Sequence, residues 1–201
     1  PLEIPIGAKT ARGELLRGKL DGDVTVYFVK QDEYFDRDGL YGEPGGDYKD
    51  NCERFVFFNR AVMDAIRLVD LQVDVLHAHD WMVAHAAVAL RQRSGAPLTA
   101  TIHATEAGRN RGWATTDLST SIHGIEWWLA NTADAVITCS RTMRDEVRTL
   151  FGIDSAHVVP NGIEPGDWQR PEFETARISA ENADAHPLIA YTGRVEWEKG
   201  V

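Results

Sequence analysis

Histidines and acidic residues fall in short clusters that suit ligand chemistry. The segment His77-Ala78-His79-Asp80-Trp81 follows an apolar run, and His103 follows Leu98-Thr99-Ala100-Thr101-Ile102. Alternate residues of a strand share a face, so His77 and His79 are placed to meet one ligand. Two imidazoles and a carboxylate suit zinc or iron. That set is incomplete unless His103 or His85 joins it, and His85 falls on a helical stretch. The other reading makes one histidine a hydrogen-bonded core residue and the other a pocket wall. Asp80 has two compatible readings, an N-cap of the helix starting near Trp81 and a functional carboxylate. His103 opens a long loop and can donate or accept hydrogen bonds near neutral pH.

A second constellation is cationic. In Gly193-Arg194-x4-Lys199-Gly200, two cations sit where a strand meets a helix start. A helix N-terminus with two cations makes an anion site suited to a diphosphate. No G-x-x-x-x-G-K-[ST] loop and no G-x-G-x-x-G fingerprint occurs, which argues against a P-loop nucleotidase and an ordinary dinucleotide enzyme. Arg109 and Arg111 stand beside Trp113 in a loop, which reads either as a solvated loop with a packing tryptophan or as a place where Trp113 stacks on a sugar face. Cys139, beside Ser140 with no partnered base in view, reads as packing.

The elements that must position these residues are α and β in alternation. The chain has 201 residues with a formal charge of −10. Such acidity argues against a phosphate-coating nucleic-acid binder. No apolar stretch reaches the 18 or so residues of a membrane span. The start, Pro1-Leu2-Glu3-Ile4-Pro5, lacks the regions of a signal peptide, and Cys52 and Cys139 alone make no disulfide framework. A reduced, cytoplasmic setting is the expectation. Residues 10–20 mix polar and apolar types; Asp21-Gly22-Asp23 then precedes a β-prone run, Val24 to Val29, which predicts a hairpin. Residues 31–50 read as a long surface loop. From Asn51, a stripe of Phe55, Phe58, Val62, Ile66 and Val69 predicts an amphipathic helix.

From residue 73 the order is β-α-β-α-β-α-β. Strands are predicted at Val73–His79, Leu98–His103, Ala135–Cys139 and His157–Val159. Between them, Met82, Ala86 and Leu90 mark one helix, ended by Ser94-Gly95-Ala96-Pro97. Ile122, Ile125 and Leu129 mark another after a loop at 104–118, and Met143, Val147 and Leu150 a third, with Ser140 as its N-cap. Short apolar strands with little alternation indicate a parallel sheet covered on both faces, in a doubly wound α/β domain. Ligands of such sheets sit beyond the carboxyl ends of the strands, where His77, His79, Asp80, His103, Asn161 and Arg194 fall. The segment Glu164 to His186 shifts to a polar, Pro- and Gly-containing composition. The expected organisation is a domain at 1–163, a linker at 164–187, and the first βα turn of a second domain at 188–201.

In order and spacing these motifs resemble the glycogen/starch synthase-type, or family-4-like, retaining glycosyltransferases of the GT-B fold. The matching text includes Tyr34-Phe35-Asp36-Arg37-Asp38-Gly39-Leu40-Tyr41-Gly42, Asp50-Asn51-x2-Arg54-Phe55-x-Phe57-Phe58 and Val73-Asp74-Val75-Leu76-His77-Ala78-His79-Asp80-Trp81. It continues through Thr101-Ile102-His103, Ala133-Asp134-Ala135-Val136-Ile137-Thr138-Cys139-Ser140, Pro160-Asn161-Gly162-Ile163 and Gly193-Arg194 with Lys199-Gly200.

The resemblance implies transfer of glucose with retention from ADP- or UDP-glucose to an α-glucan or related acceptor. It implies a site in the cleft between two Rossmann-like domains, with no metal or cofactor. Arg194 and Lys199 match the pair that holds the donor diphosphate, and His103 the histidine at the donor sugar. Asp80 with His79 matches the active-site aspartate motif, and Tyr41 and Asn161 match residues near the sugar pocket. The family's first strand and glycine-rich loop are expected before residue 1 and most of its second domain after Val201, so the chain reads as a partial, inactive piece. His103 is followed by Ala104-Thr105-Glu106 rather than the asparagine common in bacterial glycogen synthases, and the loop through Arg109 and Trp113 is closer to family-4 relatives. Two other readings stay open. One is a metal-dependent hydrolase using His77, His79, Asp80 and His103; the other is a non-catalytic sugar-binding fragment.

Overall fold

The computed structural model describes residues 1–20, 23–43, 45–112 and 116–162. Trp113, Arg194, Lys199 and the expected boundaries at 163–164 and 187–188 lie outside the described residues.

The chain opens with three antiparallel strands, β1 (Leu2–Ile6), β2 (Lys9–Lys19) and β3 (Thr25–Lys30), in the order β1-β2-β3. The predicted hairpin is present, with Lys19 opposite Thr25. The strand β1 and its two-residue turn are additional to the sequence reading. Gly7 takes φ +58° there, a left-handed conformation that glycine enters without steric cost. Leu2, Ile4 and Ala11 form the inner face and pack on Phe57 and Ala61. Gly13 is required by that packing: a Cβ there would lie 2.9 Å from Phe57 Cζ and 2.7 Å from the Lys30 carbonyl oxygen.

Residues 31–50 are not a plain loop. They hold a short helix α1 (Asp32–Phe35) and a small ladder, β4 (Gly42–Glu43) against β5 (Gly46–Asp47). The organiser is Arg54, on the long helix α2 (Asn51–Leu68) and only 1% exposed. Its Nε donates to the Tyr34 carbonyl at 2.6 Å, Nη1 to Asn51 Oδ1 at 2.5 Å and Nη2 to the Leu40 carbonyl at 3.1 Å. The planar guanidinium also lies 5.0 Å from the centre of the Tyr48 ring, a cation–π distance. Arg37 closes the same segment with a bidentate pair to Asp50 at 2.9 and 2.6 Å. Tyr34 donates its hydroxyl to Glu53, and burial with that carboxylate pushes the phenol up to about 12.

The face of α2 differs from expectation. The predicted stripe was Phe55, Phe58, Val62, Ile66 and Val69, yet the buried residues are Arg54, Phe57, Ala61 and Ala65. Phe58 and Val69 are each 36% exposed. The reason is that α2 serves two cores. Phe57 and Ala61 enter the antiparallel core, while Met63 and Ile66 lean on the second one.

That second core belongs to a parallel sheet of β6 (Leu76–His79), β7 (Leu98–Ile102), β8 (Ala135–Thr138) and β9 (His157–Val158), in the order β6-β7-β8-β9. The predicted parallel α/β sheet is therefore present. Its strands follow one another in a single direction, without the reversal of order that double winding adds among the described residues. The helices are α3 (Ala84–Ser94), α4 (Glu106–Arg109), α5 (Asp117–Thr132) and α6 (Arg141–Phe151). The expected signals hold at two ends: Gly95 closes α3 at φ +72°, and the Ser140 hydroxyl caps α6 by accepting from Met143 N–H. At the amino-terminal edge of the sheet, Asp134 accepts from Arg91 at 2.7 and 2.9 Å and from the Leu98 N–H at 2.8 Å. These bonds hold its carboxyl down to about 2. No helix among the described residues is long and apolar enough to cross a membrane.

Replacing Arg54 by Met should leave two backbone carbonyls without their donor and cost about 3 kcal/mol of stability. Residues 31–50 should then become the first site cut in limited proteolysis. An unchanged melting temperature and cleavage pattern would show that the loop is ordered by other contacts.

Candidate functional site

The carboxyl ends of β6 and β7 bring together the histidines and the aspartate that the sequence singled out. Parallel pairing sets His77 opposite Thr99 and His79 opposite Thr101. His77 Nε2 bonds Thr101 Oγ1 at 2.7 Å, so this histidine is spent on the neighbouring strand. His79 Nδ1 lies 2.9 Å from His103 Nε2, and the two rings stack 14° from parallel with centres 5.3 Å apart. Burial, then the neighbouring His77 and His103, lower the His79 imidazole below its ordinary value, against the pull of Asp80. The facing ring nitrogens engage each other. Among the described residues no group of three or more His, Cys, Asp or Glu is arranged to hold a metal ion.

Of the two readings of Asp80, the N-cap holds in position only. Asp80 precedes a single 3₁₀ turn, Trp81–Val83, and makes no side-chain cap bond there. Instead its Oδ1 accepts the His103 N–H at 2.8 Å, while its own N–H donates to the Thr101 carbonyl at 3.0 Å. The backbone of Asp80 adopts φ 62°, ψ 178°. That region is held almost only by glycine and costs on the order of 1–3 kcal/mol for other residues. The strain is compensated by tying the end of β6 to the first residue beyond β7.

The chain after His103 was expected to be loop through residue 118. It contains α4, and the turn leading into it is held by side chains from two other helices. Thr105 caps α4 by accepting the Gly108 N–H at 2.9 Å, and its hydroxyl donates to Glu146 of α6. Gly108 leaves room for that carboxylate: a Cβ there would lie 2.6 Å from Glu146 Oε1. The Glu106 N–H donates to both oxygens of Glu126, at 2.9 and 3.0 Å. The Glu106 carboxylate accepts from Asn110 Nδ2 at 2.9 Å and from the Ser119 hydroxyl. Cys139 Sγ sits 3.9 Å from the His103 carbonyl, consistent with packing.

Glu126 was missed by sequence reasoning. It lies on α5 between Ile125 and Leu129, inside the run Ile125-Glu126-Trp127-Trp128-Leu129, and that apolar setting was the available signal. It is 1% exposed. Desolvation pushes its carboxyl up to about 7, against the Glu106 N–H and Arg109.

The other expected residues stand apart from this cluster. Tyr41 is 45% exposed in the segment organised by Arg54; its carbonyl accepts from Tyr48 N–H and Asn51 Nδ2, and its ring lies 5.9 Å from Phe55. Asn161 is exposed after β9. It shares the carboxyl edge with His79, but three strand spacings, roughly 14 Å, separate β9 from β6. Arg109 is exposed in α4.

A parallel α/β sheet with polar residues gathered at its carboxyl edge defines a Rossmann-like domain with a ligand-binding edge. The structure matches the catalytic domain of starch synthase IV from Arabidopsis thaliana, solved with ADP and acarbose bound. The TM-score is 0.58 at 21% identity, covering 83% of this chain and 40% of that one. A family model described as the starch synthase catalytic domain matches residues 3–159, and the chain belongs to that family. A glycogen synthase of Mycobacterium tuberculosis is 46% identical over 130 residues, which is 64% of this chain and 30% of the relative. Glycogen synthase 2 of Geobacter sulfurreducens is 33% identical over 198 residues, covering 83% of this chain and 41% of the relative. The chain thus spans well under half the length of these relatives.

Two outcomes test this geometry. Asp80→Ala keeps the strained backbone and loses the bond to His103, whereas Asp80→Gly relieves the strain. The Gly variant should be the more stable of the two by about 1–2 kcal/mol, reversing the usual order; equal stabilities would remove the strain argument. For Glu126, the folded carboxyl titrates near 7 against 4.5 when unfolded, so the folded chain binds the extra proton between these values. Stability should fall as pH rises from about 4.5 to about 7, by roughly 1–3 kcal/mol once solvent screening is allowed for, and level off above. Urea midpoints at pH 5 and pH 8 check it: the drop should be clearly smaller in Glu126→Gln.

Proposed function

We propose that the chain is the acceptor-side part of a retaining glucosyltransferase, moving glucose from ADP- or UDP-glucose to an α-glucan or related acceptor. Membership of the starch synthase catalytic domain family supports glycosyl transfer from a sugar nucleotide. The observation that carries the reading to particular residues is the joining of His79, Asp80 and His103 at one edge of the parallel sheet. In this reading His103 meets a hydroxyl of the donor sugar. Its Nε2 is engaged by His79, so Nδ1 is the nitrogen turned to that work. Asp80 fixes the backbone from which the ring projects, and Tyr41 and Asn161 border the sugar pocket.

As the bond from the anomeric carbon to the diphosphate breaks, negative charge grows on the departing oxygen. The acceptor hydroxyl oxygen bonds to the same carbon and gives its proton to the departing phosphate oxygen. Arg194 and Lys199 supply the positive charge that the departing diphosphate requires, a preorganised electrostatic role. ADP is carried over as a candidate leaving group from the starch synthase solved with ADP and acarbose.

These 201 residues alone should show little turnover, so the test is incorporation of labelled glucose from ADP-glucose or UDP-glucose into glycogen by a protein that carries this chain within a whole starch synthase catalytic domain. His103→Ala should lower the rate by about a hundredfold, and Arg194→Ala should cost about 3 kcal/mol of transition-state stabilisation. Rates unchanged in both variants would overturn the assigned roles. Glucan binding without turnover in any form would favour a sugar-binding role instead.

A further inference from the structure

We infer that Glu126 is a positioning residue for His103: its buried carboxylate, by holding the Glu106 amide, fixes the turn from β7 to α4 in the shape that sets the His103 ring against His79. A carboxylate costs free energy at a site only 1% exposed unless something needs it. It lies on the buried face of α5 with Leu129 and Ala130, where an apolar side chain would pack without that cost. What an apolar residue could not do is accept the Glu106 N–H, which Glu126 takes with both oxygens at 2.9 and 3.0 Å. Without it, a partly buried amide of the turn loses the acceptor the structure gives it.

The same turn is held by carboxylates from three separate places. Asp80 takes the N–H of His103, Glu146 takes the hydroxyl of Thr105, and Glu126 takes the N–H of Glu106. Glu126 is the buried member of the three. The charged groups around it are Glu106 and Arg109 from α4 and Asp80 from the end of β6. Among the other elements packed on α5, α6 turns Glu146 to Thr105, α3 sets the His85 ring 5.1 Å from Trp128, and β7 carries no titratable residue. Burial outweighs the pull of Arg109, so the carboxyl changes state at about 7. The ionised form offers both oxygens to the amide and the protonated form only one. The bond to the Glu106 amide is therefore strongest above neutrality, although the fold as a whole, which must then bury a charge, is less stable there.

The rate arm of the test rests on the proposed glucosyl transfer; the spectroscopic arm does not. In the wild-type protein the ¹H–¹⁵N resonance of the Glu106 amide should move with a midpoint at about pH 7. In Glu126→Gln that step should vanish and the His103 ring resonances should shift. In the glycogen assay, the wild-type rate should rise through the same midpoint. Glu126→Gln should be pH-flat there, with kcat lower by about tenfold and KM within about twofold, and Glu126→Asp should recover part of the loss. A Glu106 amide without a step near pH 7, or a Glu126→Gln protein with the wild-type pH profile and His103 resonances, would overturn the inference. If no variant transfers glucose, the functional reading fails while the amide titration still decides the role of Glu126. If Glu126→Gln does not fold, the wild-type protein decides it: the His103 ring resonances should move with the same midpoint as the Glu106 amide, and ring resonances that ignore that step would overturn the inference.

Discussion

One helix lies between two hydrophobic cores, and the division of its faces places everything else. Phe57 and Ala61 of α2 close the antiparallel core, and Met63 and Ile66 close onto the parallel one. A helix that buried a single stripe could join only one sheet. Because α2 joins both, the segment folded around Arg54, which carries Tyr41, is fixed relative to the sheet that carries His79, Asp80 and His103. Gly13 is the complement of that arrangement on the strand side, since it lets the Phe57 ring approach the backbone of β2. The amide of Asn59, also on α2, adds a polar link by donating to the carbonyl of Met82, two residues past Asp80.

The parallel sheet poses a different problem at its carboxyl edge. Each strand ends in backbone groups that must find partners or water. Here two backbone N–H groups are taken by carboxylates, Asp80 from the adjoining strand end and Glu126 from α5, while Glu146 from α6 takes the Thr105 hydroxyl. The result is a turn whose shape is set by side-chain acceptors at successive positions rather than by a ladder. A strained residue, Asp80, is tolerated at the centre of this arrangement because it satisfies both a donor and an acceptor of the neighbouring strand end.

Much of this was legible in the sequence, for reasons that differ between elements. The parallel strands and their helices show as short apolar runs and helical spacing, closed by Gly95 and Ser140, all of them local signals. The gathering of His79, Asp80 and His103 follows from strand ends meeting at one edge. The β1–β2 pair did not show, because its inner residues are few, Leu2, Ile4 and Ala11, and their partner, Phe57, is distant in the chain. The face of α2 was misplaced by taking the large Phe58 as inward, when Phe57 and two alanines face the core. Arg54 and Glu126 were hidden because charged residues are ordinarily outward. Each is buried to serve backbone groups of a segment remote in sequence, which no local pattern records.

The contact between His79 Nδ1 and His103 Nε2 carries a consequence of its own. A hydrogen bond between two imidazole nitrogens holds one proton, so the two rings cannot choose their tautomers independently. If the proton belongs to His79, a neutral His103 carries hydrogen on Nδ1 and can only give a hydrogen bond there. If it belongs to His103, that same nitrogen can only receive one. Whether His103 acts on a ligand hydroxyl as donor or acceptor is therefore decided one residue back from the ligand, by where a single hydrogen rests between two stacked rings.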